Sequence, residues 1–441
     1  MADVAGFRGL LYDSSKVELS KVLAPPYDVI NAEGRAHLAA KDERNCIRVI
    51  LPEVAEGEPD AKYTHARDLL AAWTKEGYLV RDEQPAVYRY HQVFTHQSLG
   101  TSEVIRRGFI AAVRLHDFDE GVIRRHERTL KGPKVDRLKL WETTSSHLSQ
   151  IFTLYSDPES QVDALFSEAE KLDPTIDGVT EDGTRHLLWR VDDPEVVARV
   201  SATMADKNLY IADGHHRYET MLAFREKLVH DDSDERSAAR FGMMFLANMD
   251  DPGLVVLPTH RMVHSVPGFD ALQMREKLSA YFELREVAGA ANDLELLLQE
   301  LASSAETGTS FALVIPGESK ATLLTLKADL DLAAAGVNGS EETLKLDVTL
   351  LHSLVLEKIL GVSLADQEAQ TRITYIKDTQ AALDSCATGE GQVCFLMNAT
   401  PVAQVVAVSD ADEVMPQKST FFYPKIASGM VFNPVNESET L

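Results

Sequence analysis

The residues best placed to do chemistry stand in Leu209-Tyr-Ile-Ala-Asp-Gly-His-His-Arg217. Positions 209–212 read as a short buried strand. After Asp213-Gly214, apolar residues at Tyr218, Met221, Leu222, Leu228 and Val229 share one helical face, so strand passes directly into helix. Such a helix start leaves first-turn N–H groups without intrahelical partners, an arrangement that receives anions. Gly214 permits a tight turn and a close approach of backbone to ligand. His215, His216 and Arg217 add donors suited to phosphate oxygens, which makes Gly214 to Arg217 candidate cofactor-binding residues. Asp213 has two readings. It is a helix N-cap, or it is a catalytic carboxylate that holds a metal or orients a hydroxyl. Adjacent His215 and His216 cannot share a helix face as an i, i+4 pair would, so they make a poor zinc site.

The second constellation is Arg124-Arg-His-Glu-Arg-Thr-Leu-Lys-Gly-Pro-Lys-Val-Asp-Arg-Leu-Lys139, where seven of sixteen residues are Lys or Arg in a chain with 44 such residues among 441. That density makes a local positive field able to gather a polyanion, with Lys134 and Arg137 as further phosphate contacts. The plainer reading is a solvated helix face balanced by carboxylates elsewhere. Gly132-Pro133 interrupts the segment, which predicts a shaped loop rather than a continuous helix. Within it, His126 and Glu127 form a candidate catalytic pair. A carboxylate among cations stays ionised and can bind Mg2+ or accept a hydroxyl proton; the alternative is a structural ion pair. Glu127 and Asp213 are thus the candidate metal ligands. Lys418-Ser-Thr420 ends like a P-loop but lacks its glycines, and GxGxxG, HExxH and GxSxG are absent.

The elements that must position these residues alternate along the chain. A helix is predicted over 63–75, strands over 86–94 and 104–115 as a hairpin, strands at 151–155 and 186–191 with a helix over 162–172 between them, and strands at 241–248 and 254–258. Beyond about 268 the pattern predicts helices at 271–281, 294–304 and 349–359, and strands at 311–315, 321–327, 392–397 and 402–408. The fold class is therefore α/β (α+β), a mixed-sheet, multi-domain protein, since one core seldom organises this length. Expected divisions are an N-terminal α/β region over 1–95, a catalytic core over 96–265 and a C-terminal α/β region over 266–441. The 44% hydrophobic and 26% charged fractions are those of globular proteins, and no apolar run reaches the ~20 residues that span a bilayer. The N-terminus shows no secretory pattern, so the expected location is cytoplasmic. Cys46, Cys386 and Cys394 are too scattered for a disulfide framework. A formal charge of −25 argues against nucleic acid and anionic membrane as partners, and leaves homo-oligomers open.

Five ordered motifs make the chain resemble the domain-of-unknown-function family numbered 1015, nearly end to end: Ala24-Pro-Pro-Tyr-Asp-Val-Ile30, His126-Glu-Arg-Thr129, Gly132-Pro-Lys-Val-Asp-Arg137, Tyr210-Ile-Ala-Asp-Gly-His-His-Arg-Tyr-Glu-Thr220 and Met415-Pro-Gln-Lys-Ser-Thr-Phe-Phe-Tyr-Pro-Lys425. The Asp-Gly-His-His-Arg stretch also resembles the phosphate-binding element of the ParB and sulfiredoxin superfamily, which includes ATP- or ADP-dependent free serine kinases. That resemblance implies a ParB/sulfiredoxin-like nucleotide-binding core, with Gly214 to Arg217 at the phosphates and Glu127 matching the kinase carboxylate. Sulfiredoxin chemistry needs a cysteine where this chain has histidine, so redox activity is not implied. The expected function is phosphoryl transfer from ATP or ADP, with Mg2+, to a small hydroxyl compound such as free L-serine. The alternatives are a phosphate-ester or nucleotide hydrolase and a non-catalytic nucleotide-sensing module.

Overall fold

In the computed structural model, two compact units divide the chain, and all residues are described except 54–57, 59, 98, 99, 101, 130, 230–233 and 437. The first unit takes residues 1–125, 129–255 and 424–441; the second takes 126–128 and 256–423. The boundary expected near 95 falls between two paired strands, Val87–Phe94 and Val104–Arg114. Among the described residues no helix is long and apolar enough to cross a membrane.

The first unit is built on a nine-stranded mixed sheet. Its central strands, Phe241–Asn248, Val104–Arg114 and Val87–Phe94, are largely buried; the first is apolar up to Asn248, while the other two also bury the polar Arg106, Arg89, His91 and Gln92. Leu209–Asp213 runs parallel to the short Ile123–Arg124 strand and antiparallel to Ile151–Tyr155. The helices Ala61–Lys75, Lys131–Thr144 and His215–Leu228 pack in sequence, the first on the second and the second on the third. Trp141, His147 and Phe224 interlock the last two by edge and tilted ring contacts. Thus the helix of the basic segment lies against the helix of the Asp-Gly-His-His-Arg element.

The basic segment is not one continuous helix: residues 125–129 are non-helical and the helix starts at Lys131, with Gly132-Pro133 at its beginning rather than in the loop. Both residues lie in the first turn of Lys131–Thr144, where backbone N–H groups have no intrahelical acceptor and proline costs nothing. The helix expected over 162–172 is reduced to Gln161–Ala164 and a 3-10 turn, Ala169–Lys171.

The second unit holds a six-stranded sheet whose pairings are all antiparallel, in the order Phe282–Val287, Ala321–Leu326, Ser310–Val314, Val393–Met397, His260–Val263 and Ile373–Ile376. Period-two alternation sorts its side chains. Phe311, Leu313, Phe395 and Met397 join one core, while Ala312, Val314, Cys394 and Leu396 join another on the opposite face. The expected strand at 402–408 is instead the helix Val402–Asp410. Its β-branched residues suit a strand, but Val405, Val408 and Ser409 recur at helical spacing and are the buried ones, directly after Pro401. The 349–359 helix forms as Asp347–Leu350 followed by a π-helix, Leu351–Ile359.

Candidate functional site

The Leu209–Asp213 strand shifts register against its antiparallel neighbour between Ile211 and Asp213. A bulge of this kind re-aims the following side chain, here Asp213. Gly214 then takes φ 93° and serves as N-cap of His215–Leu228. An added Cβ would lie 2.9 Å from Arg217 Nε and 3.0 Å from its Cζ. Glycine is therefore required twice, for the left-handed backbone and for the close guanidinium.

Asp213 does not cap the helix. Its carboxylate accepts a bond from Arg217 Nη2 at 2.6 Å and another from Lys425 Nζ. Burial works to raise its pKa, but Lys425, Arg217 and His215 outweigh burial and hold the carboxyl well below the usual carboxylate range. Arg217 is 3% exposed, and its Nη1 donates to the carbonyl of Gln150 at 2.5 Å. Its guanidinium is thus committed inside the protein, bracing the turn.

Lys425 reaches Asp213 from the last part of the chain. The carbonyl of Pro424 accepts from Arg106, that of Lys425 from Gln92 Nε2 at 2.9 Å, and that of Ala427 from Gln150 Nε2 at 3.1 Å. Arg106 and Gln92 are buried and joined, Nε to Oε1, at 3.0 Å. Burial pulls the Arg106 guanidinium down to about 9, against the opposing influence of Tyr90 and Asp213. A strap over residues 424–427 is therefore stitched to polar groups held by the large sheet. Beside it Lys425 borders a cavity of about 210 Å3, whose wall includes Leu23, Pro25, Leu38 and His186.

The other expected residues are distributed as follows. His215 is buried in the first turn and His216 is half-buried. Lys134 Nζ donates to Thr129 Oγ1 at 3.1 Å and to the Glu219 carboxylate, one turn beyond His215. Arg125 Nη1 approaches the same carboxylate at 3.6 Å. Arg137 is buried, bound to Asp136 and the carbonyl of Ile50, with its guanidinium 4.3 Å from the centre of the Tyr27 ring. Lys139 pairs with Asp60 at 3.0 Å. Lys134, Arg137, Lys139 and, at 3.6 Å, Arg125 are thus paired with carboxylates. His126 and Glu127 belong to the second unit. There His126 Nε2 lies 3.0 Å from Thr420 Oγ1, and its carbonyl accepts from the N–H of Met415 at 2.8 Å.

Four of the five motifs therefore contribute a residue to one locality of the first unit: Tyr27, Arg137, Arg217 and Lys425. Tyr27 carries the field of both Arg137 and Arg217; its phenol pKa is raised by burial and partly restored by those cations. Lys425, Gln150, Arg106 and Tyr27 were not among the residues singled out from the sequence. As a metal ligand Asp213 fits poorly, because both its oxygens face cations. Among the described residues no three His, Cys, Asp or Glu side chains gather to hold an ion. The arrangement sets a helix N-terminus beside Lys425 and Arg217, both paired with one carboxylate.

Residues 4–349 match the family described as "Protein of unknown function (DUF1015)". No curated protein matches the chain. Solved structures similar to it include a free serine kinase in complex with AMP, 15% identical with a TM-score of 0.34, covering 68% of this chain and 84% of that one. A conserved hypothetical protein from Pyrococcus furiosus is 14% identical with a TM-score of 0.33, over 69% and 89%. C-terminally truncated SbnI from Staphylococcus aureus is 9% identical with a TM-score of 0.30, over 75% and 84%.

Proposed function

We propose that this chain, which belongs to the DUF1015 family, is a phosphotransferase that moves a phosphoryl group from ATP or ADP to a small hydroxyl compound, with free L-serine the leading acceptor. The observation that carries the reading is the Gly214 turn, where a bulged strand enters a 14-residue helix beside Lys425 and Arg217. The likeness of the Asp-Gly-His-His-Arg stretch to a nucleotide phosphate-binding element supports a nucleotide as the anion.

In this reading the N–H groups of His215, His216 and Arg217 face the phosphates, and Lys425 and Lys134 supply charge that offsets the developing negative oxygens. Arg217 and Arg137 act by holding the turn and its neighbours in place. The acceptor oxygen forms a bond to the terminal phosphorus as the bond to the leaving nucleotide oxygen breaks. The hydroxyl proton passes to a carboxylate, the role proposed for Glu127 with His126 beside it in sequence. Mg2+ accompanying the nucleotide would be held by Glu127 rather than by Asp213, whose oxygens both face cations, and would neutralise phosphate charge.

Incubation with ATP or ADP, Mg2+ and a panel of amino acids, followed by mass spectrometry, tests the reaction. Phosphoserine formed in step with ADP or AMP is expected. A protein that binds nucleotide but phosphorylates no acceptor would refute transfer, and release of inorganic phosphate without acceptor would identify a hydrolase. For Glu127→Gln, turnover is expected to fall by about two to four orders of magnitude with an unchanged melting temperature. A lowered melting temperature with normal specific activity would assign Glu127 to a structural ion pair instead.

A further inference from the structure

The cavity that Lys425 borders in the first unit measures about 210 Å3, smaller than the roughly 300–1,000 Å3 that house a whole drug-sized ligand. A space of this size takes one part of a ligand and leaves the rest outside. Its wall is drawn from separate stretches of the chain. Leu38 and Lys41, three residues apart on one face of the helix Ala32–Lys41, supply one side. Leu23 and Pro25 supply another, and Lys425 and Ala427 of the C-terminal strap a third. Leu23, Leu38 and Ala427 are buried.

The polar groups of the wall are already engaged within the protein. His186 Nδ1 lies 2.6 Å from Tyr90 Oη, and its Nε2 lies 2.8 Å from Thr180 Oγ1. Burial pushes the His186 imidazole down to about 4, so the ring is neutral near pH 7. Ser20 Oγ accepts from the N–H of Val179 at 3.0 Å, and the exposed Glu181 is held by Lys41 at 2.5 Å and His37 at 2.6 Å. What the wall leaves for an occupant is apolar. A serine zwitterion would lose its hydration there without recovering it, whereas a flat, weakly polar ring gains by burial. Lys425 joins this space to the turn described above, because it borders the cavity while its Nζ donates to Asp213, the residue before Gly214. One lysine therefore touches both.

We propose that this cavity holds the base of the nucleotide, its ring against Leu23, Pro25, Leu38 and Ala427, with the phosphates passing Lys425 to the Gly214 turn. The inference rests on the reading of that turn as a phosphate site, and adds to it the place of the donor's organic half.

The test compares ATP with inorganic tripolyphosphate by calorimetry on the full-length chain, as wild type and as Leu38→Trp, whose larger side chain fills the cavity. ATP is expected to bind the variant about tenfold or more weakly than wild type, and tripolyphosphate to bind both alike. Because an overpacked variant can fail to fold, wild type is also photolabelled with an azidoadenine analogue of ATP and the labelled peptides are identified by mass spectrometry. Label within residues 20–41, 180–186 or 425–427 is expected. Label confined to other segments, or ATP bound by a folded Leu38→Trp as by wild type, overturns the base site and leaves the phosphate site standing. Binding of neither ATP nor tripolyphosphate by wild type overturns the phosphate reading and the base site with it.

Discussion

At the scale of single residues, Asp213 shows how one position can change role between sequence and structure. As a residue before a helix it suits a cap, yet the cap is Gly214 and the carboxylate instead joins two cations, one of them 212 residues away in sequence. No local pattern carries that pairing, which is why Lys425 stayed unassigned while Gly214 and the helix start were readable from spacing alone. The two cations should also differ in what they do. Arg217 is buried and bound at both ends, so Arg217→Ala should lower stability by up to about 3–5 kcal/mol in urea denaturation, with Arg217→Lys retaining part of it. Lys425 is 19% exposed and borders the cavity, so Lys425→Met should cost less stability than Arg217→Ala and should weaken nucleotide binding by about ten- to hundredfold. Equal loss of stability in both variants would mean that Lys425 only balances Asp213.

At the scale of elements, the sequence was most legible where apolar residues keep a clean period. The Ala61–Lys75 helix, the Val87–Phe94 and Val104–Arg114 hairpin, and the passage from strand to helix at Gly214 all follow their patterns. It was least legible where composition and spacing disagree. Valines at 402–408 favour a strand by type and a helix by spacing, and packing decides for spacing. Pro133 looks like a breaker until its place in a first turn is known. One short helix carries a pH signature. Burial lifts the Asp347 carboxyl, first residue of Asp347–Leu350, to about 7, while the bond from the Ser310 backbone partly opposes it. The folded state then holds a proton that the unfolded chain has released, so this group's stabilisation is present below its unfolded value near 3.8 and declines as pH rises toward about 7. The urea midpoint of wild type relative to that of Asp347→Asn should accordingly decrease between about pH 5 and about pH 8. Parallel profiles would show that Asp347 titrates normally.

Across the whole molecule, the feature least accessible to sequence reading is that the chain visits the second unit for residues 126–128 and returns to the first unit at 424. Periodicity is local, and it cannot report that a C-terminal segment rejoins the unit in which the chain began. Both units bury neutral histidines, and these give a global expectation. Burial depresses His147 to about 3, His186 to about 4, and His260 and His352 to about 3, from 6.5. The unfolded chain takes up protons that the folded chain refuses. Stability should therefore start to fall as pH drops below about 6.5, before most carboxylates titrate. A urea midpoint flat down to about pH 5 would contradict it.

The central claim, that the Gly214 turn receives phosphate groups, is tested most directly by calorimetric titration of the full-length chain with ATP, ADP and adenosine under one buffer and salt. The account predicts saturable binding of at least one of the two phosphorylated ligands, weakening as salt rises, with adenosine bound far more weakly. Absence of binding by both ATP and ADP, or adenosine binding as tightly as they do, would contradict it.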